Sequence, residues 1–135
     1  MRSLILAAAA VAVFTPLHIT ASAAEVTCRI PFSFVVNGTT LPAGDYSIET
    51  PALSGAMLLR GARKSAFVAG LVNDQRADQV GRAKAVFLRI GDRYTLIEVW
   101  TTDGLARAIP GARRSVEARA LAAHTPVDQV VILGL

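Results

Sequence analysis

Residues Ala83–Trp100 read AKAVFLRIGDRYTLIEVW. Two runs rich in Val, Ile, Leu and aromatic residues flank Gly91-Asp92, a turn-forming pair, and that pattern predicts a β-hairpin. With Gly91 and Asp92 as the two loop residues, Arg89 falls opposite Tyr94, Leu88 opposite Thr95, Phe87 opposite Leu96 and Val86 opposite Ile97. A longer loop would shift every pair. Apolar residues occur on both faces, so the hairpin belongs near the centre of a sheet whose two sides are both at least partly covered.

On the N-terminal side, Cys28–Val36 (CRIPFSFVV) reads as a first strand, with Pro31 tolerable only near an edge. Asn37-Gly38 is a strong turn dipeptide. Leu41-Pro42-Ala43-Gly44 is a second turn, in which Pro42 pre-sets φ. Asp45–Glu49 alternates polar and apolar residues, as a half-buried strand does. Ala56–Arg60 and Ser65–Val72 read as two more strands joined by a basic turn, Gly61–Lys64, and Asn73–Arg82 reads as a polar loop.

Beyond the hairpin, Thr101-Thr102-Asp103-Gly104 marks an exit turn. Ala112–His124 contains no Gly or Pro and places Val116, Ala120 and Leu121 at helical spacing, between Pro110-Gly111 and Thr125-Pro126. This predicts a surface helix held by a few contacts. Val127–Leu135 (VDQVVILGL) is expected to close the domain as a strand with Val130, Val131, Ile132 and Leu133 buried. The expected fold is mainly β: an antiparallel sandwich or partly open barrel of six or seven strands, with one helix in the C-terminal half.

The chain opens with the marks of an export signal. Met1-Arg2-Ser3 is a short basic start, Leu4–Phe14 is an unbroken apolar run, and Ala21-Ser22-Ala23 supplies the small residues that signal peptidase requires. Cleavage is expected after Ala23, with Ala24 as the alternative. An uncleaved anchor would need Pro16 and His18 inside the membrane, and the 11-residue run falls short of the ~20 residues a span requires. Residues 24–135 then form a single domain of modest core size with no later membrane span. Removing Arg2 takes the formal charge from +4 to +3. That excess is small and the signs are mixed, which argues against a nucleic-acid partner. The single Cys28 has no internal disulfide partner and reads as a small buried residue.

Catalytic chemistry is sparse. His18 departs with the signal, which leaves His124, a residue suited to a helix C-terminus. No G-x-S-x-G is present, and one Cys with one His cannot build a structural zinc site. Asn73, Asp74 and Asp78 lack the calcium-loop pattern. No cofactor or metal is expected. Asp45, Glu49, Glu98 and Asp103 are the carboxylates a hydrolase would draw on, although exposed acids usually balance neighbouring arginines. Tyr46, Tyr94 and Trp100 combine apolar faces with polar handles. In the regular register Tyr94 and Trp100 share one side, and with Arg89 the three aromatics form the candidate ligand surface.

The motifs Pro31–Gly38 (PFSFVVNG), Leu41–Tyr46 (LPAGDY), Leu58–Gly61 (LLRG), Val86–Tyr94 (VFLRIGDRY) and Val99-Trp100 occur in an order that resembles a family of small secreted proteins of soil bacteria. The resemblance implies a secreted β-rich domain with no assigned activity or catalytic residues. The functional expectation is an exported, non-catalytic module that binds an envelope or extracellular ligand, protein or glycan. The alternatives are an assembly subunit that pairs through an edge strand and an envelope hydrolase.

Overall fold

The structure is a computed structural model that describes residues 23–51, 55–69, 71–73 and 81–135. The segment read as an export signal, apart from the backbone of Ala23, and most of the segment read as a polar loop, with Asp74 and Asp78, lie outside the described residues. In chain order the elements are β1 (Ala23–Ile30), β2 (Phe34–Val36), β3 (Thr39–Leu41), β4 (Gly44–Pro51), β5 (Ala56–Gly61), β6 (Ser65–Ala69), β7 (Leu71–Asn73), β8 (Lys84–Ile90), β9 (Arg93–Trp100), β10 (Ala106–Ala108), α1 (Ala112–Ala122) and β11 (Asp128–Leu133).

One antiparallel sheet has the order β1-β4-β5-β6, and a second has the order β11-β8-β9-β10-β7. The β2–β3 hairpin joins the second sheet through β2, which runs parallel to the start of β9. The inner faces of the two sheets share one core. Val26, Cys28, Ile48 and Leu59 come from the first sheet, and Phe87, Leu96 and Val99 from the second. On the far side of the second sheet, Val86, Leu88 and Ile97 pack against Val116 of α1. The result is a mainly β sandwich with one helix in its C-terminal half, the fold class read from the sequence. The strands number eleven among the described residues, more than the six or seven expected. Four of them span only three residues, too few for alternation to register.

Three of the four hairpin pairs are as read: Arg89↔Tyr94, Leu88↔Thr95 and Phe87↔Leu96. Gly91 takes φ 56°, a left-handed value suited to glycine. The fourth pair differs. Val86 lies opposite Glu98, because Ile97 is an extra residue at a β-bulge. Both faces of the hairpin are covered, one by the first sheet and the other by α1.

The segment read as one strand, Cys28–Val36, is two. β1 pairs with β4 in the first sheet, and after Pro31–Ser33 the chain enters the second sheet as β2. Proline has no N–H for a ladder, so the crossing falls where pairing would fail in any case. Asn37 and Gly38 then take φ 47° and 78°, the double left-handed turn that a two-residue hairpin favours. The segment read over Ser65–Val72 likewise divides between the sheets, as β6 and β7.

At the far end Arg107 of β10 is buried, and its Nη2 donates to the Pro51 carbonyl at 2.9 Å, tying the two sheets together. In α1 the residues that meet the sheet are Val116 and Ala120, whereas Leu121 is 78 % exposed. One residue past Ala120 lies about 100° around the helix, which turns Leu121 to solvent. His124 ends the helix through its backbone. At φ 50° its N–H reaches the Leu121 carbonyl and the Thr125 N–H reaches that of Ala120, a Schellman arrangement. Among the described residues no helix is long and apolar enough to cross a bilayer.

Cys28 is fully buried, and burial, followed by the charge of Asp45, pushes its thiol pKa up to about 11. Because the thiolate is the reactive species, Cys28 is expected to resist alkylation at pH 8 in the folded protein and to react once denaturant is added. Labelling at the rate of a free thiol without denaturant would place Cys28 outside the core.

Candidate functional site

The hairpin tip, Gly91-Asp92, projects beside the β2–β3 hairpin and the entry to α1, and these elements build the concave end of the molecule. A shallow hollow of about 470 Å³ is walled by Ser33 and Val35 on one side and by Ile90, Asp92, Arg93 and Tyr94 on the other. A second hollow of about 220 Å³ lies across Arg93, between the Asn37-Gly38 turn, Thr95 and the first turns of α1. Arg93 and Val35 line both.

Behind the first hollow stands a run of rings. Phe32, in the crossing between β1 and β2, stacks on Tyr94 with centroids 3.7 Å apart and planes at 12°. Phe32 and Phe34 both meet Phe87 edge-on, and Phe34 meets Tyr46 in the same way. These packed rings hold Tyr94, and through it the hairpin tip, against β2. Arg89 Nη2 donates to Asp128 Oδ2 at 2.7 Å. The bond to Asp128, then that to Tyr94, favours the charged guanidinium.

Tyr46, Arg89, Tyr94 and Trp100 do not form one surface. Tyr46 is 2 % exposed, with its hydroxyl donating to the Pro42 carbonyl and its pKa raised by burial, so it is a core residue. Arg89 is engaged by Asp128. Tyr94 alone of the four lines the tip hollow. Trp100 lies at the opposite end of β9, packed against the α1-side cluster, with Lys84 Nζ 5.0 Å from its ring centroid. The bulge at Ile97 causes the separation: one extra residue reverses the alternation, so Tyr94 faces the core side and Trp100 the helix side.

The carboxylates singled out in the sequence serve structure in three of four cases. Asp45 pairs with Arg29 at 2.8 Å and Glu49 with Arg60 at 3.5 Å, both on the exposed face of the first sheet. Asp103 accepts from the Thr101 hydroxyl and from the Leu105 N–H, closing the exit turn. The Thr101 bond is the main cause that holds its pKa below the usual value. Glu98 borders the bulge. Among the described residues no three His, Cys, Asp or Glu side chains are grouped as a metal site would need.

Arg93, Asn37, Ser115 and Arg119 were not singled out as site residues in the sequence, because they lie in three separate elements. Their one local signal is in α1, where Ala112, Ser115, Val116 and Arg119 form a single helical stripe. Comparison with family models, with curated proteins and with solved structures finds no match for this chain.

Proposed function

We propose that the chain is an exported, non-catalytic binding domain of the cell envelope or extracellular space, and that it takes its ligand at the hairpin-tip end. The observation that carries this reading is the position of Arg93, exposed and shared by two adjoining hollows whose walls come from β2, β3, β9 and α1. Concave sites with apolar walls and a few convergent polar groups are where small ligands and glycan units bind. Export rests on the signal features and on the family resemblance. The non-catalytic part rests on the lack, among the described residues, of a shuttling histidine near the tip, and on the engagement of Asp45, Glu49 and Asp103 in structural contacts.

An assembly subunit is the second reading, and β11 favours it. Among the described residues β11 is an edge strand that pairs only with β8, and Gln129–Leu133 contains no charged residue to discourage a further strand.

Two measurements test the leading reading. Nuclear magnetic resonance spectra of the protein, recorded with fractionated envelope polysaccharides and peptides, should show shifts over Ile90–Thr95 and Asn37-Gly38 with little change at Lys84 and Trp100. Shifts confined to β11 would replace it with the assembly reading. Intact mass of the exported protein should give a start at Ala24. Thr50 Oγ1, in a residue 1 % exposed, donates to the Ala24 carbonyl at 3.0 Å, and a start at Glu25 would remove that acceptor. A retained Met1 on exported protein would refute cleavage.

A further inference from the structure

The smaller hollow beside Arg93 has a chemistry of its own. Two arginines, Arg93 at the start of β9 and Arg119 on α1, line it together with Asn37, Thr95 and Ser115. Among the described residues no carboxylate lines it. The four ion pairs among the described residues are Arg29–Asp45, Arg60–Glu49, Arg89–Asp128 and Arg113–Glu117, so neither Arg93 nor Arg119 shares a described acid. Glu117, the one acid of α1, pairs along the helix with Arg113 and does not line the hollow. The stripe geometry explains how Arg119 comes to stand there. Ala112 and Val116 seat α1 on the second sheet, and Ser115 and Arg119 follow them at the rim.

From these contacts we infer that the hollow is a binding site for a compact oxyanion, a phosphate or phosphate monoester. Two guanidiniums supply charged donors, and the Asn37, Thr95 and Ser115 side chains can donate to the remaining oxygens. A volume of about 220 Å³ suits a group of that size with part of its carrier. The entry to α1 fits the same occupant: its first turn holds Arg113 and Arg114, has no acidic residue, and receives no side-chain cap. Positive side chains there oppose the helix dipole, and a bound anion would offset them. The arginine pair across the hollow, not the helix end, carries the assignment. The inference deepens the reading of the hairpin-tip end as the ligand site and rests on it.

The test is a titration of the purified protein with inorganic phosphate at constant ionic strength, followed by magnetic resonance. The backbone amides of Gly38, Gly111 and Ser115 and the Nε–H signals of Arg93 and Arg119 should shift along a saturating curve. Arg93→Ala and Arg119→Ala should each weaken phosphate binding by roughly tenfold, the scale of a charge-assisted contact. Arg60→Ala, on the outer face of the first sheet, should leave it unchanged. A parallel titration with glycerol phosphate separates the sources. Tighter binding of the monoester supports an anion carried on a larger ligand, and tighter binding of inorganic phosphate supports a free ion. Linear, non-saturating shifts, or curves that neither arginine variant alters, would overturn the assignment. If phosphate fails while an envelope fraction still moves the hairpin-tip signals, the anion class falls and the binding reading stands. If both fail, both fall.

Discussion

Ending the chain at Pro126 is expected to leave a protein that unfolds or aggregates. The deleted strand β11 pairs with β8 over six residues, Asp128↔Arg89 through Leu133↔Lys84. Val130 and Ile132 pack against the main core beside Phe87 and Ala85. Full burial of an aliphatic side chain is worth roughly 1.5–3 kcal/mol, and these two are partly buried. Two further ties go with the strand: the Gly134 N–H donates to the Ala83 carbonyl, and the Leu135 N–H to the Thr27 carbonyl of β1. Deletion would also open the edge of β8, an apolar strand with three fully or nearly fully buried neighbours in sequence, Ala85, Val86 and Phe87. Together these losses approach the total stability of a small domain, about 5–15 kcal/mol. Thermal melting and size-exclusion chromatography check the outcome. A soluble, monomeric chain with an unchanged melting temperature would mean that β11 adds little to the fold and is free to serve a partner.

Phe87→Ala should lower stability by roughly 3–5 kcal/mol, the range for an aromatic deleted from a core. Phe87 is fully buried, lies between Leu96 and Val130 in the second sheet, and receives Phe32 and Phe34 edge-on at 5.0 and 5.4 Å. The cavity would be bounded by strands from both sides and by two rings already held by Tyr94 and Tyr46, so little collapse is available to fill it. Arg93→Ala, at the exposed tip, should cost under about 1 kcal/mol. Urea denaturation with an unchanged slope measures both. Equal midpoints for the two variants would remove Phe87 from the centre of the core.

The contrast between these variants also separates stability from binding. Arg93 is expected to matter for phosphate and hardly at all for folding, whereas Phe87 lines neither hollow and matters for folding. A variant pair that divides the two properties in this way would tie the hairpin's middle and its tip to different tasks.

Local signals in the sequence were sufficient for the hairpin and its turns. Alternation and β-branched residues mark β8 and β9, and Gly91, Asn37 and Gly38 mark turns because their backbone angles suit few other residues. The helix was legible from spacing, and the sandwich class from many short strands followed by one helix. The closing strand was legible as a strand, but its burial was not. Val130 and Ile132 turn inward, while Val131 and Leu133 remain 41 % and 49 % exposed, because a strand alternates and α1 packs against β8 and β9.

Other features depended on contacts between distant segments. A bulge adds one residue to a strand without changing its composition, so nothing local announced that Ile97 would turn Trp100 away from Tyr94. Tyr46 is as suited to a ligand surface as to a core. It is buried because Phe34, twelve residues earlier, crosses to the second sheet and meets its ring. Arg107 looks like a surface residue until β10 brings it under Pro51 of β4. The arginine-lined hollow has the same origin. Residue type and short-range periodicity settle which segments are strands, turns or helix, since those preferences act over a few residues. Which side chains meet at the hairpin tip is decided by sheet order and register, where Asn37, Arg93 and Arg119 converge from three elements.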